Sequence, residues 1–142
     1  MQTTTYPTTP DCQSSDVVII GGAMRGAAAA WFLASSDDYN GSVLVLDRDP
    51  SYETRSTAHS NSCIRQQFST ELNVRISQFT ASYLRDFQAQ MDGDARVHDI
   101  AIQNFGYMYL AGTESAAQAL RASHTVQATA GAGTRLMSRN EI

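Results

Sequence analysis

A glycine-rich turn and a later acid are the residues of this chain whose types and spacing indicate chemistry. The turn is Gly21-Gly22-Ala23-Met24-Arg25-Gly26, and Asp47 follows it after a second apolar run. Backbone N–H groups at a turn that opens a helix attract phosphate, because the positive end of the helix dipole adds to their hydrogen bonds. An acid at the tip of the next strand can accept a hydrogen bond from a ribose hydroxyl. Together these residues predict a site for a dinucleotide.

The turn departs from the G-x-G-x-x-G pattern at its middle glycine, which is Ala23 here. That glycine lets the backbone approach a pyrophosphate, so we expect the methyl group of Ala23 to loosen the contact without abolishing it. The simpler alternative is a tight strand-to-helix turn without a ligand, with Asp47 exposed to water. The location of the turn, after an apolar strand and before a helix, favours the dinucleotide site.

Three elements are predicted around this turn. Val17–Ile20 is an unbroken β-branched run, typical of a strand that is covered on both faces. A helix is predicted from about Ala23 to Ala34, where four consecutive alanines allow close packing on a sheet. Ser42–Asp47 is the second predicted strand. The order strand, helix, strand predicts a right-handed βαβ unit, and therefore an α/β, Rossmann-like fold with a parallel sheet.

The remainder of the chain is predicted to be mixed. Asp49–Ser69 is polar and long for a loop, and such loops are usually functional or disordered. Apolar residues then recur at steps of three and four, which predicts an amphipathic helix that ends near Asp92-Gly93. The apolar residues are Leu72, Ile76, Phe79, Tyr83 and Phe87, and the three aromatics among them are predicted to be core residues. The further predicted elements are strands at Asp99–Phe105 and Gly106–Leu110, a helix at Glu114–Ala130 and the start of a strand at Arg135–Met137.

Composition narrows the function classes. The 142 residues carry a net charge of −4, with 42% hydrophobic and 17% charged residues, as in an ordinary globular domain. The sequence lacks the basic stripe that would indicate a nucleic acid partner. Its apolar runs are too short to span a bilayer. The two cysteines, Cys12 and Cys63, make no disulfide framework, and neither has a neighbour at metal-ligand spacing. We therefore expect no metal site, and a reducing cytoplasm as the location.

The two ends of the chain carry distinct signals. Residues 1–15 are rich in Thr and Pro and lack the positive and apolar regions of a signal peptide, which predicts a flexible tail. Ser138 and Glu141 have the S-x-x-E spacing of a capping box, which predicts that a helix begins there. The expectation is therefore an amino-terminal piece of a longer protein.

Five segments of the sequence resemble a known protein family. In these segments the chain resembles the amino-terminal part of the FAD-dependent oxidoreductases of the D-amino-acid oxidase superfamily. It is most similar to the branch that holds sarcosine and dimethylglycine dehydrogenase-like proteins and a mitochondrial complex I assembly flavoprotein. The segment at Ser56–Ser69 is far more specific than the glycine turn. The segments are D-V-V-I-I-G-G-A at Asp16–Ala23, V-L-V-L-D-R-D-P at Val43–Pro50, S-T-A-H-S-N-S-C-I-R-Q-Q-F-S at Ser56–Ser69, L-N-V-R-I-S at Leu72–Ser77 and G-Y-M-Y-L-A at Gly106–Ala111.

The resemblance implies FAD as the cofactor and assigns its contacts. The turn would hold the pyrophosphate, the acid would hold the adenosine ribose, and the Ser-Thr segment would line the phosphate and ring of the flavin. Many relatives have a Gly-Gly pair where this chain has Ser62-Cys63. The implied residues are Gly21, Gly22, Ala23 and Gly26 for the pyrophosphate, Asp47 with Arg48 for the adenosine, and Ser56, Thr57 and Ser60 with Asn61 and Arg65 for the flavin.

His59 allows two interpretations. Some relatives that oxidise dimethylglycine or sarcosine carry a histidine in a similar S-T-x-H context, bonded covalently to the flavin 8α carbon. Other relatives have an aliphatic residue there, and a hydrogen-bonding or solvated His59 is the favoured alternative.

The resemblance also implies an activity. The first hypothesis is a flavoenzyme that oxidises the C–N bond of a small amine or N-substituted amino acid by hydride transfer to the flavin. No residue is assigned as a general base, and Arg65 is a candidate neighbour of the flavin or of a substrate carboxylate. The electron acceptor stays open. The alternatives are a flavin-binding assembly factor with little turnover, and an unrelated NAD(P)-binding domain. The predicted organisation is a tail at 1–15, the first part of the FAD domain at 16–69, and a continuation into the cofactor and substrate domain at 70–142.

Overall fold

The computed structural model describes residues 6–142 and divides the chain into two compact units, which meet in sequence at Ser62 and Cys63. Part of the predicted tail, residues 1–5, lies outside the described residues. Residues 6–15 form neither helix nor strand.

The first unit is a βαβ arrangement. It consists of strand β1 (Val17–Ile20), helix α1 (Met24–Ala34) and strand β2 (Val43–Leu46). The strands pair in parallel, with Val17 opposite Val43 and Ile20 opposite Leu46. The predicted strand, helix, strand order is confirmed, and the parallel register brings the carboxyl ends of both strands to one edge.

A polar clamp fixes the register at the other edge. The Asp16 carboxylate accepts hydrogen bonds from the Ser42 backbone N–H at 2.7 Å and from the Ser42 hydroxyl at 2.8 Å. In return, the Asp16 backbone N–H donates to the Ser42 hydroxyl oxygen at 3.0 Å. The backbone hydrogen bond from Ser42, followed by that of its hydroxyl, lowers the pKa of Asp16 below its usual value. The clamp holds both strands level where they begin.

The prediction that β1 is covered on both faces is wrong for this unit. Val17 and Ile19 are half-buried, whereas Val18 is 50% exposed and Ile20 is 89% exposed. One helix can cover only one face of a two-stranded sheet, and α1 contacts both strands from that side. The unbroken apolar run therefore has one covered and one uncovered face.

The second unit is helical. It contains α2 (Glu71–Arg85), the short α3 (Phe87–Gln90) and α4 (Glu114–Thr129), and α2 packs on α4. α2 begins where the apolar periodicity predicts a helix but ends at Arg85, before the predicted end near Asp92-Gly93, and α4 matches the helix predicted at Glu114–Ala130. No helix within residues 6–142 combines the length and the apolar character needed to cross a membrane.

The core of the second unit lies between α2 and the end of α4. Val74 is completely buried and packs with Ala130 and Ala132, with Phe68 against them. Gln127 is also buried, and its side-chain amide donates to the Phe68 carbonyl at 3.2 Å. A buried amide needs such a partner, because leaving it without one costs about 1–3 kcal/mol.

The apolar stripe predicted along α2 is largely exposed, with Leu72 68% exposed, Ile76 52% and Phe79 58%. The assignment of Phe79 to a core is therefore wrong within this structure, whereas Tyr83 and Phe87 are half-buried. The helix instead turns Val74 inward, together with Gln78, whose amide donates to the Ala130 carbonyl at 3.0 Å. Periodicity identified the helix correctly, but the face that contacts α4 is a different one.

The strands predicted at 99–105, 106–110 and 135–137 do not form in the structure. These residues have no regular secondary structure, and residues 99–113 are exposed throughout. A strand is stable only when a neighbouring strand satisfies its backbone N–H and C=O groups. Within residues 6–142 the only strand pair is β1 with β2.

Candidate cofactor site

Two glycines shape the turn that follows β1. Gly21 has a φ of 100°, in the left-handed region that favours glycine. At Gly26 a Cβ atom would overlap the Gly21 carbonyl oxygen and would lie 3.0 Å from Ile19 Cγ2. Gly21 therefore permits the turn, and Gly26 permits the close approach of α1 to the end of β1.

The start of α1 is suited to an anion. Ala23 is its N-cap residue, and its side chain has no atom that could accept a hydrogen bond from the first turn. The first turn also lacks an acidic residue. Since the first N–H groups of a helix have no partner within the helix, they can donate to a phosphate, and the dipole favours its charge. This start fits the pyrophosphate of FAD.

Asp47 lies beside the turn, directly after β2. Its Oδ2 atom accepts the Gly22 backbone N–H at 2.6 Å, and its Oδ1 atom accepts the Asp49 backbone N–H at 3.0 Å. The side chain is only 13% exposed. One further backbone bond, from the Gly21 N–H to the Leu46 carbonyl at 2.7 Å, extends the pairing of the strands to the turn itself. The structure thus brings the predicted pyrophosphate turn and the predicted ribose acid together at one edge.

Arg55 is a member of this cluster that sequence reasoning missed. Its Nη2 atom forms an ion pair with Asp47 Oδ1 and donates to the Asp49 carbonyl at 3.0 Å. The side chain is 18% exposed, and Nε is buried without a hydrogen-bond partner in the described part of the chain. The signal in the sequence was a cation eight positions after Asp47 in a polar loop, since a half-buried acid needs a positive partner.

Tyr52 lies close to the same turn. A Cβ atom at Gly22 would lie 3.4 Å from the Tyr52 hydroxyl oxygen and 3.5 Å from Asp47 Oδ2. Tyr52 has a φ of 61°, which is uncommon for a residue with a bulky side chain. The segment after β2 therefore returns to the glycine turn, although its sequence gives no regular pattern.

The other residues assigned to FAD in the first unit lie in loop structure, and all but the half-buried Thr57 are exposed. Arg48 is exposed, as is His59. The Ser60 hydroxyl donates to the Thr57 carbonyl at 2.9 Å and accepts the Ser62 backbone N–H at 3.3 Å. Ser56 and Asn61 belong to the same loop. The roles of all these residues toward the flavin stay predictions, and so does a covalent link at His59.

Arg65 lies in the second unit, between two aromatic rings. Its guanidinium carbon is 5.1 Å from the centre of the Phe68 ring and 5.9 Å from that of Tyr107, which is the geometry of a cation–π interaction. Gln67 donates its side-chain amide to the Tyr107 carbonyl at 3.0 Å. A hydrogen bond with the Cys63 side chain raises the pKa of Tyr107. Arg65 is thus held in one orientation by its own unit.

Neither cysteine forms a disulfide. Among residues 6–142, no three side chains of His, Cys, Asp or Glu are grouped so that they could hold a metal ion.

Comparison with known proteins gives one family and a set of similar chains. The family model described as "FAD dependent oxidoreductase" (DAO) matches residues 16–142. The chain is 34% identical over 134 residues to FAD-dependent oxidoreductase domain-containing protein 1 of Xenopus laevis, and 36% identical over 133 residues to the protein of that name in Bos taurus. Each match covers 92% of this chain but only 26% and 27% of those proteins, so the chain spans about a quarter of their length. No solved structure matches.

Proposed function

Because the chain belongs to the DAO family of FAD-dependent oxidoreductases, we propose that its βαβ unit holds the adenosine diphosphate half of FAD. We further propose that the protein oxidises the C–N bond of a small amine or N-substituted amino acid, of the sarcosine, dimethylglycine or D-amino-acid type. The family is FAD-dependent, which makes an unrelated NAD(P) domain the weaker interpretation of the glycine turn.

One observation carries the cofactor part of this proposal, the 2.6 Å hydrogen bond from the Gly22 N–H to Asp47 Oδ2. It shows that the turn and the acid lie within one hydrogen bond of each other. A pyrophosphate and the ribose attached to it are also direct neighbours, so one dinucleotide would contact both groups at once.

The roles of the residues follow from the donors and acceptors present. The N–H groups from Ala23 to Gly26 would donate to the pyrophosphate. Asp47 has about four lone-pair sites, accepts two hydrogen bonds and forms one ion pair, so one site, on Oδ2, would be left for a ribose hydroxyl. Arg48 is exposed next to Asp47 and could pack near the adenine.

The flavin end of the site rests on the resemblance. Ser56, Thr57, Ser60 and Asn61 would line the flavin phosphate and ring, with Arg65 nearby. Its cation–π contacts with Phe68 and Tyr107 hold the Arg65 guanidinium in place within the second unit.

When bound, FAD supplies the two-electron acceptor. It would accept the two electrons that leave with a hydride when the substrate C–N bond is oxidised to a C=N bond, while the nitrogen releases a proton and water hydrolyses the product. This chain's residues would bind and orient the cofactor, and none is assigned as a catalytic residue. Reoxidation requires an acceptor such as oxygen, an electron-transfer flavoprotein or a quinone.

The test uses the whole gene product, the protein as its host makes it. Its visible spectrum should show flavin bands, and anaerobic addition of sarcosine, dimethylglycine or a D-amino acid should bleach them. Absence of flavin from a folded preparation, even after incubation with FAD, would remove the cofactor proposal. Flavin that no amine reduces would remove only the substrate class.

A second candidate is a flavin-binding assembly or accessory factor with little turnover. The exposed apolar stripe of Leu72, Ile76 and Phe79 on α2 favours it, because exposed apolar groups along one helix face suit contact with another protein. Stable flavin bands that none of the amines bleaches would support this candidate over the enzyme.

A further inference from the structure

Asp47 has two oxygen atoms with different partners. Oδ2 accepts the Gly22 N–H of the glycine turn, whereas Oδ1 accepts the Asp49 N–H and pairs with Arg55. The carboxylate therefore lies between the turn and the loop, and among residues 6–142 Oδ2 has one hydrogen-bond donor where Oδ1 has two partners, so Oδ2 can accept one more hydrogen bond.

An acid in this location raises an electrostatic problem for the proposed cofactor. The pyrophosphate would bring two negative charges next to a carboxylate that is 13% exposed, and water screens such a half-buried charge poorly. The charge of Asp47 would oppose the same ligand that its hydrogen bond to the ribose favours. A cation paired with Asp47 on the side away from the turn would remove this conflict.

We propose that Arg55 is a positioning residue for the adenosine end of the cofactor, acting through Asp47. Its guanidinium occupies Oδ1, so that Oδ2 is the oxygen presented to the ribose, and its charge cancels that of Asp47 beside the pyrophosphate. This inference rests on the proposed function and adds to it a residue outside the set that the resemblance assigns.

The local geometry favours arginine over lysine at this position. One Nη2 atom serves both the Asp47 carboxylate and the Asp49 carbonyl. The planar guanidinium keeps these two bonds in a fixed relation, which the point charge of a lysine does not. Because the Arg55 backbone also donates to the Tyr52 carbonyl at 3.1 Å, the pair is tied to the segment that returns to the turn.

The experiment measures the dissociation constant of FAD from the apoprotein of the whole gene product. Arg55→Met should raise it by about tenfold or more, since a charge-assisted contact and the charge balance are both lost. Arg55→Lys keeps the charge and should raise it by only about two- to fivefold. Partial rescue by lysine is not expected if Arg55 only fills space in the loop.

A double-mutant cycle with Asp47→Asn separates the inference from a structural role. If Arg55 acts through Asp47, Arg55→Met should cost less than about threefold in the Asp47→Asn background, where there is no charge left to balance. A cost that stays near tenfold in both backgrounds would overturn the inference. If Arg55→Met does not fold, the same cycle with Arg55→Gln, which also removes the charge, decides.

The matched control is Arg75→Met. Arg75 pairs with Glu71 one helical turn away, and both side chains are more than half exposed. The Arg75→Met variant should bind FAD with an affinity within about twofold of the wild type, because exposed ion pairs contribute little.

The proposed function and the role of Arg55 can be contradicted separately. A wild-type protein that binds no FAD contradicts the proposed function, whereas a wild type that binds FAD with an Arg55→Met variant of equal affinity contradicts only the role of Arg55.

Discussion

The two units of this chain differ in how completely local sequence accounts for their structure. In the first unit, the glycine turn and the acid that indicated chemistry contact each other. The Asp47 carboxylate accepts hydrogen bonds from two backbone N–H groups, one of them in the turn. In the second unit, the apolar stripe of α2 is more than half exposed at Leu72, Ile76 and Phe79. A βαβ unit brings its partners together within about 30 residues, whereas a helix face needs a surface that can come from anywhere in the chain. The comparison therefore separates contacts that the local pattern implies from contacts that it does not.

The largest effect is expected at the turn of the first unit. Gly26→Ala places a methyl group on the Gly21 carbonyl oxygen, so the helix must move away from the strand. We expect a loss of about 3 kcal/mol in the free energy of unfolding, measured with urea on the whole gene product, and weaker FAD binding. Gly112→Ala is the matched control, because a Cβ atom there meets nothing within 4 Å. Equal stability of the two variants would show that α1 does not approach β1 this closely.

The core of the second unit is tested by a pair of truncations. Val74→Ala removes two methyl groups from a completely buried side chain and should cost about 2 kcal/mol in the free energy of unfolding. Leu72→Ala, at a side chain that is 68% exposed, should cost less than about 0.5 kcal/mol. A Leu72→Ala cost as large as that of Val74→Ala would mean that the stripe is covered in the whole gene product.

Helix capping gives a smaller contrast within the second unit. At the start of α4, the Thr113 hydroxyl accepts a hydrogen bond from the Ala116 N–H at 3.2 Å. At the start of α2, the N-cap residue Thr70 makes no such side-chain hydrogen bond. Thr113→Ala should therefore lower the free energy of unfolding by about 1 kcal/mol and Thr70→Ala by clearly less. Thermal unfolding of both variants measures this difference, and a reversed order would contradict the two cap geometries.

The smallest expected effect is a local titration. The Arg96 side-chain hydrogen bonds hold the pKa of Asp94 at about 2, below the ordinary value of 3.8. Because the folded-state pKa is lowered, the contribution of this pair to stability is present above pH 3.8 and is lost as the pH falls toward 2. Carboxyl NMR should show the low midpoint, and Arg96→Gln should move it up toward 3.8. A midpoint that the substitution leaves unchanged would contradict this cause.

Much of the fold could be predicted where the pattern is local. The β-branched run, the alanines and the second apolar run were enough for β1, α1 and β2, and the periodicity was enough for α2. The strands predicted between 99 and 110 failed because alternation describes a side-chain pattern, whereas a strand also requires a backbone partner. Periodicity likewise could not tell that Val74, rather than Leu72, faces α4.

The candidate site shows the same limit. The amino-acid sequence by itself determined the glycine turn, the uncapped start of α1 and the acid after β2, because these depend on spacing within one supersecondary unit and on the freedom of glycine at a φ of 100°. Only the tertiary structure decided that Arg55 pairs with Asp47 and that one carboxylate oxygen faces the turn. A loop without periodicity has many possible paths. The loop takes the path that leaves the fewest polar groups without a partner. That path decides which of the loop's polar groups pairs with the half-buried charge of Asp47.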